Sequence, residues 1–205
     1  MREKKYIAKE AEATLHGFWA MLFLPIIGGA LATTNPEPSI IYGSASLILV
    51  GLLILWTIYG RIMNRWKIIG WVQLHCIICN HVGTGLLLVG IWRYFGAISS
   101  IGVLFLIIYL SSTIIPYIYR KEFFDAMWGR GGNKKLFPLI FSVFCLAALI
   151  AGGSSYGAML ASVRLYGEEI SQLRYSFAGI FVSIFLNLFF SGFWTMAKGE
   201  INLKS

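Results

Sequence analysis

Six apolar stretches, each about long enough to cross a lipid bilayer, constrain this chain more than any motif it contains. They cover residues 15–32, 40–59, 68–92, 97–119, 136–160 and 175–197. A helix rises about 1.5 Å per residue, so roughly 20 apolar residues span the ~30 Å of hydrocarbon. An open strand in lipid would leave its amides unpaired at several kcal/mol each, and only helices or closed barrels avoid that cost. Barrel strands alternate polar and apolar residues. The run at residues 102–110 is apolar throughout and does not alternate. The sequence therefore predicts an all-α fold: a polytopic membrane protein with a single bundle of six transmembrane helices.

Composition closes off the other classes. Hydrophobic residues make up 58% and charged residues 13% of the 205-residue chain, against about 45–50% and about 25% in a soluble domain. A chain this short cannot hide that much apolar surface within itself. It is also far too apolar for disorder. Three cysteines do not make a disulfide framework.

The net charge of +8 is arranged by side rather than by patch. With residues 1–13 as a cytoplasmic segment, the inner segments hold 14 of the 17 basic residues. The other three are Arg93, Arg164 and Arg174. This is the positive-inside pattern, and it predicts both termini in the cytoplasm. No loop is long enough for a folded nucleic-acid-binding domain, so no nucleic-acid partner is expected. The protein is expected as a multi-pass protein of the membrane, the cytoplasmic or inner membrane if the source is bacterial.

The first stretch has a competing reading as a cleaved signal peptide, because Ala30-Leu31-Ala32 has a small-x-small pattern. Against it stand the acidic Glu3, Glu10 and Glu12 ahead of the apolar run, and Pro25, Gly28 and Gly29 within it. The loops are short, so residues 1–205 form one domain. Residues 33–38 form a proline-stopped outer turn, and residues 162–174 an outer loop with Glu168 and Glu169. The inner loop at 120–135 reads either as an interfacial helix or as a solvated linker, with Gly129, Gly131 and Gly132 ending it. Trp19, Trp56, Trp66, Trp71, Trp92 and Trp194 fall near span ends, as an aromatic belt requires.

No stretch carries Asp, Glu, Lys or Arg well inside it, so the ionisable relay of many pumps is missing. No histidine pairs with Ser154 or Ser155 in a hydrolase motif, and no histidine follows the Glu168-Glu169 pair. These absences point away from an enzyme. The densest polar run is in the third stretch: Gln73, His75, Cys76, Cys79, Asn80, His81 and Thr84. At about 100° per residue, Gln73, Cys76, Asn80 and Thr84 share one stripe, with the histidines to either side. Such a helix belongs at the centre of the bundle, because lipid would leave these groups unsatisfied.

Cys76 and Cys79 form C-x-x-C between two histidines. One straight helix cannot bring those four groups onto one metal ion, because His75 and His81 point about 120° apart. A redox pair favours a helix N-terminus, and this pair is mid-span. Haem between a third-span histidine and His16 has no supporting motif. No metal or cofactor is assigned. Cys145 reads as plain core. Ordinary inter-helix hydrogen bonding, at ~0.6 kcal/mol per contact, is the plainest reading of the run. A polar pocket is the functional one.

Two further patterns stand out. Asn80-x-x-x-Thr84-Gly85 in the third stretch matches Asn187-x-x-x-Ser191-Gly192 in the sixth. Cut as three plus three, the spans would make the inverted repeat of several transporters, with the two asparagines meeting at mid-depth. Small residues at Gly28 and Gly29, and at Gly153, Gly157 and Ala161, offer faces for close helix approach.

The leading functional expectation is a non-enzymatic membrane protein that binds or moves a small or apolar ligand, as one subunit of a membrane complex. Its ligand-binding residues would be Gln73, His75, Asn80, His81 and Thr84, with Asn187 and Ser191. The alternatives are a protein that binds a toxin or secretion component in the membrane, and a redox or metal enzyme built on the His/Cys cluster. A cavity beside Asn80 favours the first. A solid bundle with a small-residue groove favours the second, and approach of His16 or Cys145 to the cluster favours the third. The expected partners are the lipid bilayer, a membrane protein and an apolar ligand. The six-span plan is shared by vitamin-transporter binding subunits, exporter permeases and immunity proteins, and such an analogy of architecture fixes no function.

Overall fold

The computed structural model describes residues 19–128, 142, 163–165 and 167–198, and every regular element among them is helical. In chain order these are α1 (Phe23–Thr34), α2 (Ile40–Ile62), a 3-10 turn (Arg65–Lys67), α3 (Ile69–Tyr94), α4 (Ser99–Ile118), α5 (Arg120–Trp128), α6 (Glu168–Ser191) and α7 (Phe193–Ala197). Among the described residues four segments are long and apolar enough to cross a membrane: Ile40–Ile62, Gly70–Tyr94, Ser99–Ile118 and Ser176–Thr195. They match the second, third, fourth and sixth stretches. The fifth stretch lies outside the described residues, as do the Gly153 and Gly157 face, His16 and Cys145.

Among the described residues the first stretch holds a helix of 12 residues, Phe23–Thr34, with Trp19 and Ala20 also helical, and residues 15–18 of the expected 15–32 span lie outside the described residues. A turn at Met21–Leu22 precedes Phe23. Pro25 lies four residues after Met21, and a proline ring collides with the carbonyl four residues back. The loop expected at 162–174 is also revised, since α6 starts at Glu168 after Gly167, whose φ of +82° suits glycine. The segment after α4, expected as an inner loop at 120–135, is helical over Arg120–Trp128 as α5, with Phe124 buried.

α3 is the centre of the bundle. Of its apolar window 61% is buried, against 17% for those of α2 and α4. Leu47, Ile48, Leu52 and Leu55 of α2 and Val103, Leu106 and Ile107 of α4 are exposed, which is how a lipid-facing helix must look. The closest packing is between α1 and α3. A Cβ on Gly28 would stand 2.5 Å from the Gly83 carbonyl oxygen, and one on Gly83 2.7 Å from Leu24. Gly90, seven residues on, meets Leu31 and Ala32. Gly83 and Gly90 thus present a smooth stripe two turns long to α1.

A buried cation fixes the α1–α2 turn to the end of α3. Arg93 is 8% exposed. Its guanidinium donates to the carbonyls of Ala32, Thr33 (3.1 Å) and Glu37 (2.7 Å) and lies 4.5 Å over the Tyr42 ring. Ala32 and Thr33 end α1, where unpaired carbonyls carry the negative end of the helix dipole. Asn35 Nδ2 adds a bond to Gly90 O at 3.3 Å.

α6 lies antiparallel to α3, because Gly179 meets Ile91 while Asn187 meets Asn80. That alignment brings the middles of α3, α4 and α6 together.

Candidate membrane-embedded site

The polar run of α3 divides into two clusters on different faces. The larger centres on Asn187, which is fully buried. Its Oδ1 accepts from Asn80 Nδ2 at 3.1 Å and His81 Nδ1 at 3.2 Å, with the Thr84 hydroxyl at 2.8 Å. The Thr84 proton is shared with its own turn, Asn80 O lying at 2.9 Å. Asn187 Nδ2 donates to Ser112 Oγ of α4 at 3.0 Å, and Ser112 donates in turn to Tyr109 O. The Tyr109 hydroxyl donates to His81 O at 3.1 Å. One amide thus joins three helices through bonds that lipid cannot supply. Two acceptor atoms of this cluster, Asn80 Oδ1 and His81 Nε2, are buried with no donor among the described residues.

The second cluster faces α2. His75 is fully buried, with its ring centroid 5.6 Å from Trp71 and 6.1 Å from Trp56. Thr57 donates its hydroxyl to Leu53 O at 2.7 Å, so His75 Nε2 donates to Thr57 Oγ1 at 3.1 Å. That leaves His75 Nδ1 as acceptor for the Cys79 thiol at 3.5 Å. Cys76 and Cys79 are both buried free thiols. Among the described residues no three of His, Cys, Asp and Glu converge as metal ligands.

The seven residues singled out from the sequence therefore do not form one site. Asn80, His81, Thr84 and Asn187 meet. Ser191 lies one turn on and donates to Asn187 O, within its own helix. His75 belongs to the α2 cluster, and Gln73, half-buried two turns before Asn80, joins neither. Tyr109, Ser112 and Thr57 are the residues that sequence reasoning missed. The only signal for Ser112 was its place in Ser111-Ser112-Thr113, mid-way along an apolar span. Such hydroxyls commonly bond their own helix, which hides a partner on another.

Beside the larger cluster, α3 and α4 part to leave a cavity of about 670 Å³. Its walls include Val82, Leu86, Val89 and Trp92 of α3, Val103, Phe105 and Leu106 of α4, and Leu49 of α2. At Gly85 nothing stands nearer to the missing Cβ than the Tyr109 ring at 3.6 Å, and Gly102 lets the Trp92 ring close in on α4. His81 and Tyr109 stand at the mid-depth end, and Trp92 and Ser99 at the other. Eleven residues of α3 separate the ends, roughly 16 Å along a helix axis. Val103 and Leu106 are also exposed, so the cavity is a groove open towards the hydrocarbon.

No protein-family model matches the chain, and no curated protein or solved structure shows significant similarity to it.

Proposed function

We propose that this multi-pass membrane protein binds a small apolar ligand in the α3–α4 groove, which runs from about the middle of the bilayer towards one of its faces. The observation that carries the reading is the cavity of about 670 Å³, with almost wholly apolar walls and His81 and Tyr109 at one end. Ligand sites of this kind are concave, mostly apolar and carry a few placed polar groups. The opening towards lipid gives an apolar molecule a route in that crosses no water. Asn80, Thr84 and Asn187 serve by holding the His81 ring at the end of the groove. The groove lies beside the third span, where an apolar ligand or its carrier complex would need it. Both chain ends are placed in the cytoplasm, on the distribution of basic residues.

The test is a labelling map. The protein, in lipid nanodiscs, is irradiated with a plain alkyl diazirine and the modified residues are located by peptide mass spectrometry. Labels should concentrate on groove residues such as Leu86, Val103 and Leu106 and be displaced by unlabelled alkane. Labels spread evenly over the α2 face as well, with no displacement, would defeat the reading.

A further inference from the structure

The groove is about as long as one leaflet is deep, and its two walls lead to a cation without a counter-ion. Resting on the reading of the groove as an apolar-ligand site, we infer that its occupant is an anionic phospholipid of the leaflet that meets the C-terminal end of α3. One acyl chain lies in the groove and the phosphate stands level with Arg93. Val82, Leu86 and Val89 line the groove from α3. Residues three or four apart share a helix face, so Arg93, four past Val89 and seven past Leu86, is the next member of that stripe. The α2 wall runs to the same place. Leu49 lines the groove, and Tyr42, two turns before it on the same face of α2, has its ring 4.5 Å from the Arg93 guanidinium. Arg93 also follows Trp92, which stands at that end of the groove.

The charge of Arg93 is unbalanced. Its hydrogen bonds go to the backbone carbonyls of Ala32, Thr33 and Glu37. Among the described residues no carboxylate pairs with it, and Glu37 gives it a carbonyl only. A cation held out of water without a counter-charge is costly, and its field is weakly screened. Arg93 is 8% exposed, so the attraction of a phosphate at the bilayer surface is electrostatic and needs no hydrogen bond to the guanidinium. Length fits the same ligand. From His81 to Trp92 the groove runs roughly 16 Å, and one leaflet is half of the ~30 Å of hydrocarbon. An extended acyl chain that starts at the Trp92 level ends where the groove ends. The deep end asks for no polar tip, since the Tyr109 hydroxyl is already donated to His81 O.

Four photoreactive lipids decide the matter: phosphatidylglycerol and phosphatidylcholine of equal chain length, each with a diazirine either near the ester or at the chain end. Each is titrated at trace level into phosphatidylcholine nanodiscs holding the full-length protein, and labelled residues are located by mass spectrometry. Phosphatidylglycerol should label the groove with about fivefold higher apparent affinity, the worth of one cationic side chain near the surface. The ester-end diazirine should mark Trp92 and Val103, and the chain-end one Leu86 and Leu106. Arg93→Gln should bring the two headgroups level, whereas Arg93→Lys, which keeps the charge, should keep the preference; if neither variant folds, the wild-type comparison decides alone. Equal labelling by the two headgroups in the wild type, or a preference that survives Arg93→Gln, overturns the inference. A reversed or uniform order of labels along the groove does so too. Saturable labelling by a plain alkyl diazirine with none by any of the four lipids overturns it while leaving the groove as an apolar site. Failure of the alkyl probe as well removes the site itself.

Discussion

Asn187 carries more of the polar core than any other side chain, because a primary amide is both donor and acceptor and can serve three helices at once. Four side chains meet it: Asn80, His81, Thr84 and Ser112. At ~0.6 kcal/mol per inter-helix bond, Asn187→Leu should lower stability by about 2 kcal/mol. Ser191→Ala, which removes only a bond within its own helix, should cost less than about 0.5 kcal/mol. Unfolding titrations in mixed micelles compare the two, and equal losses would show that Asn187 is not the hub. Arg93 makes a second prediction. Its fork reaches three carbonyls, and an ammonium is a point donor that cannot span them. Arg93→Lys should therefore recover less than half of the roughly 2–3 kcal/mol lost in Arg93→Met. The meeting of Asn80 and Asn187 was legible in the sequence, because the same four-residue spacing to a hydroxyl and a glycine occurs in both spans. The burial of Arg93 was not, because an arginine just past a span reads as a topogenic charge until the carbonyls that gather round it are known.

At the scale of elements, length and hydropathy were enough for α2, α3 and α4, since crossing hydrocarbon leaves a helix little choice. The centrality of α3 followed from its polar circumference. The weaker places were the ends. α1 starts at Phe23, after a turn at Met21–Leu22 that answers to Pro25 four residues past Met21, and α6 begins early because helical backbone can extend beyond the apolar core at no cost. The α1–α3 contact was half legible. Gly28 was visible as a small residue, whereas Gly83 that meets it and Gly90 that meets Leu31 and Ala32 are seven apart rather than four and escape a G-x-x-x-G search. That contact is also where substitution should hurt most. Gly83→Ala places a methyl 2.7–2.8 Å from Leu24 and the Pro25 nitrogen, and backbone cannot yield as a side chain does. A loss of about 1–3 kcal/mol is expected. Gly51→Ala on α2, with nothing within 4 Å of the new methyl, should stay within about 0.5 kcal/mol of wild type. Thermal aggregation of the two variants in detergent makes the comparison, and similar midpoints would mean the two helices do not pack as described.

For the whole molecule, the arrangement is a central polar helix shielded by apolar ones, with a groove where two of them part. The proposed orientation puts the α1–α2 turn outside and the α2–α3 turn inside. A cysteine at Glu37 should react with an impermeant maleimide added to intact cells, and one at Arg61 only after lysis; the reverse pattern would invert the topology. Composition and pattern reached the membrane class and the place of the polar core. They did not reach the groove, because a cavity depends on how side chains of two helices fail to fill the space between them, and that is a property of the packed bundle alone. Saturable binding to that groove is the claim on which the functional account stands. Its most direct measurement is equilibrium uptake of radiolabelled dodecanol by the protein in nanodiscs, corrected for empty discs, for wild type and Gly85→Leu. The account predicts one saturable site per chain in the wild type and none in Gly85→Leu, with the helical circular dichroism of both unchanged. Uptake that rises linearly with concentration and is the same in both proteins would contradict it.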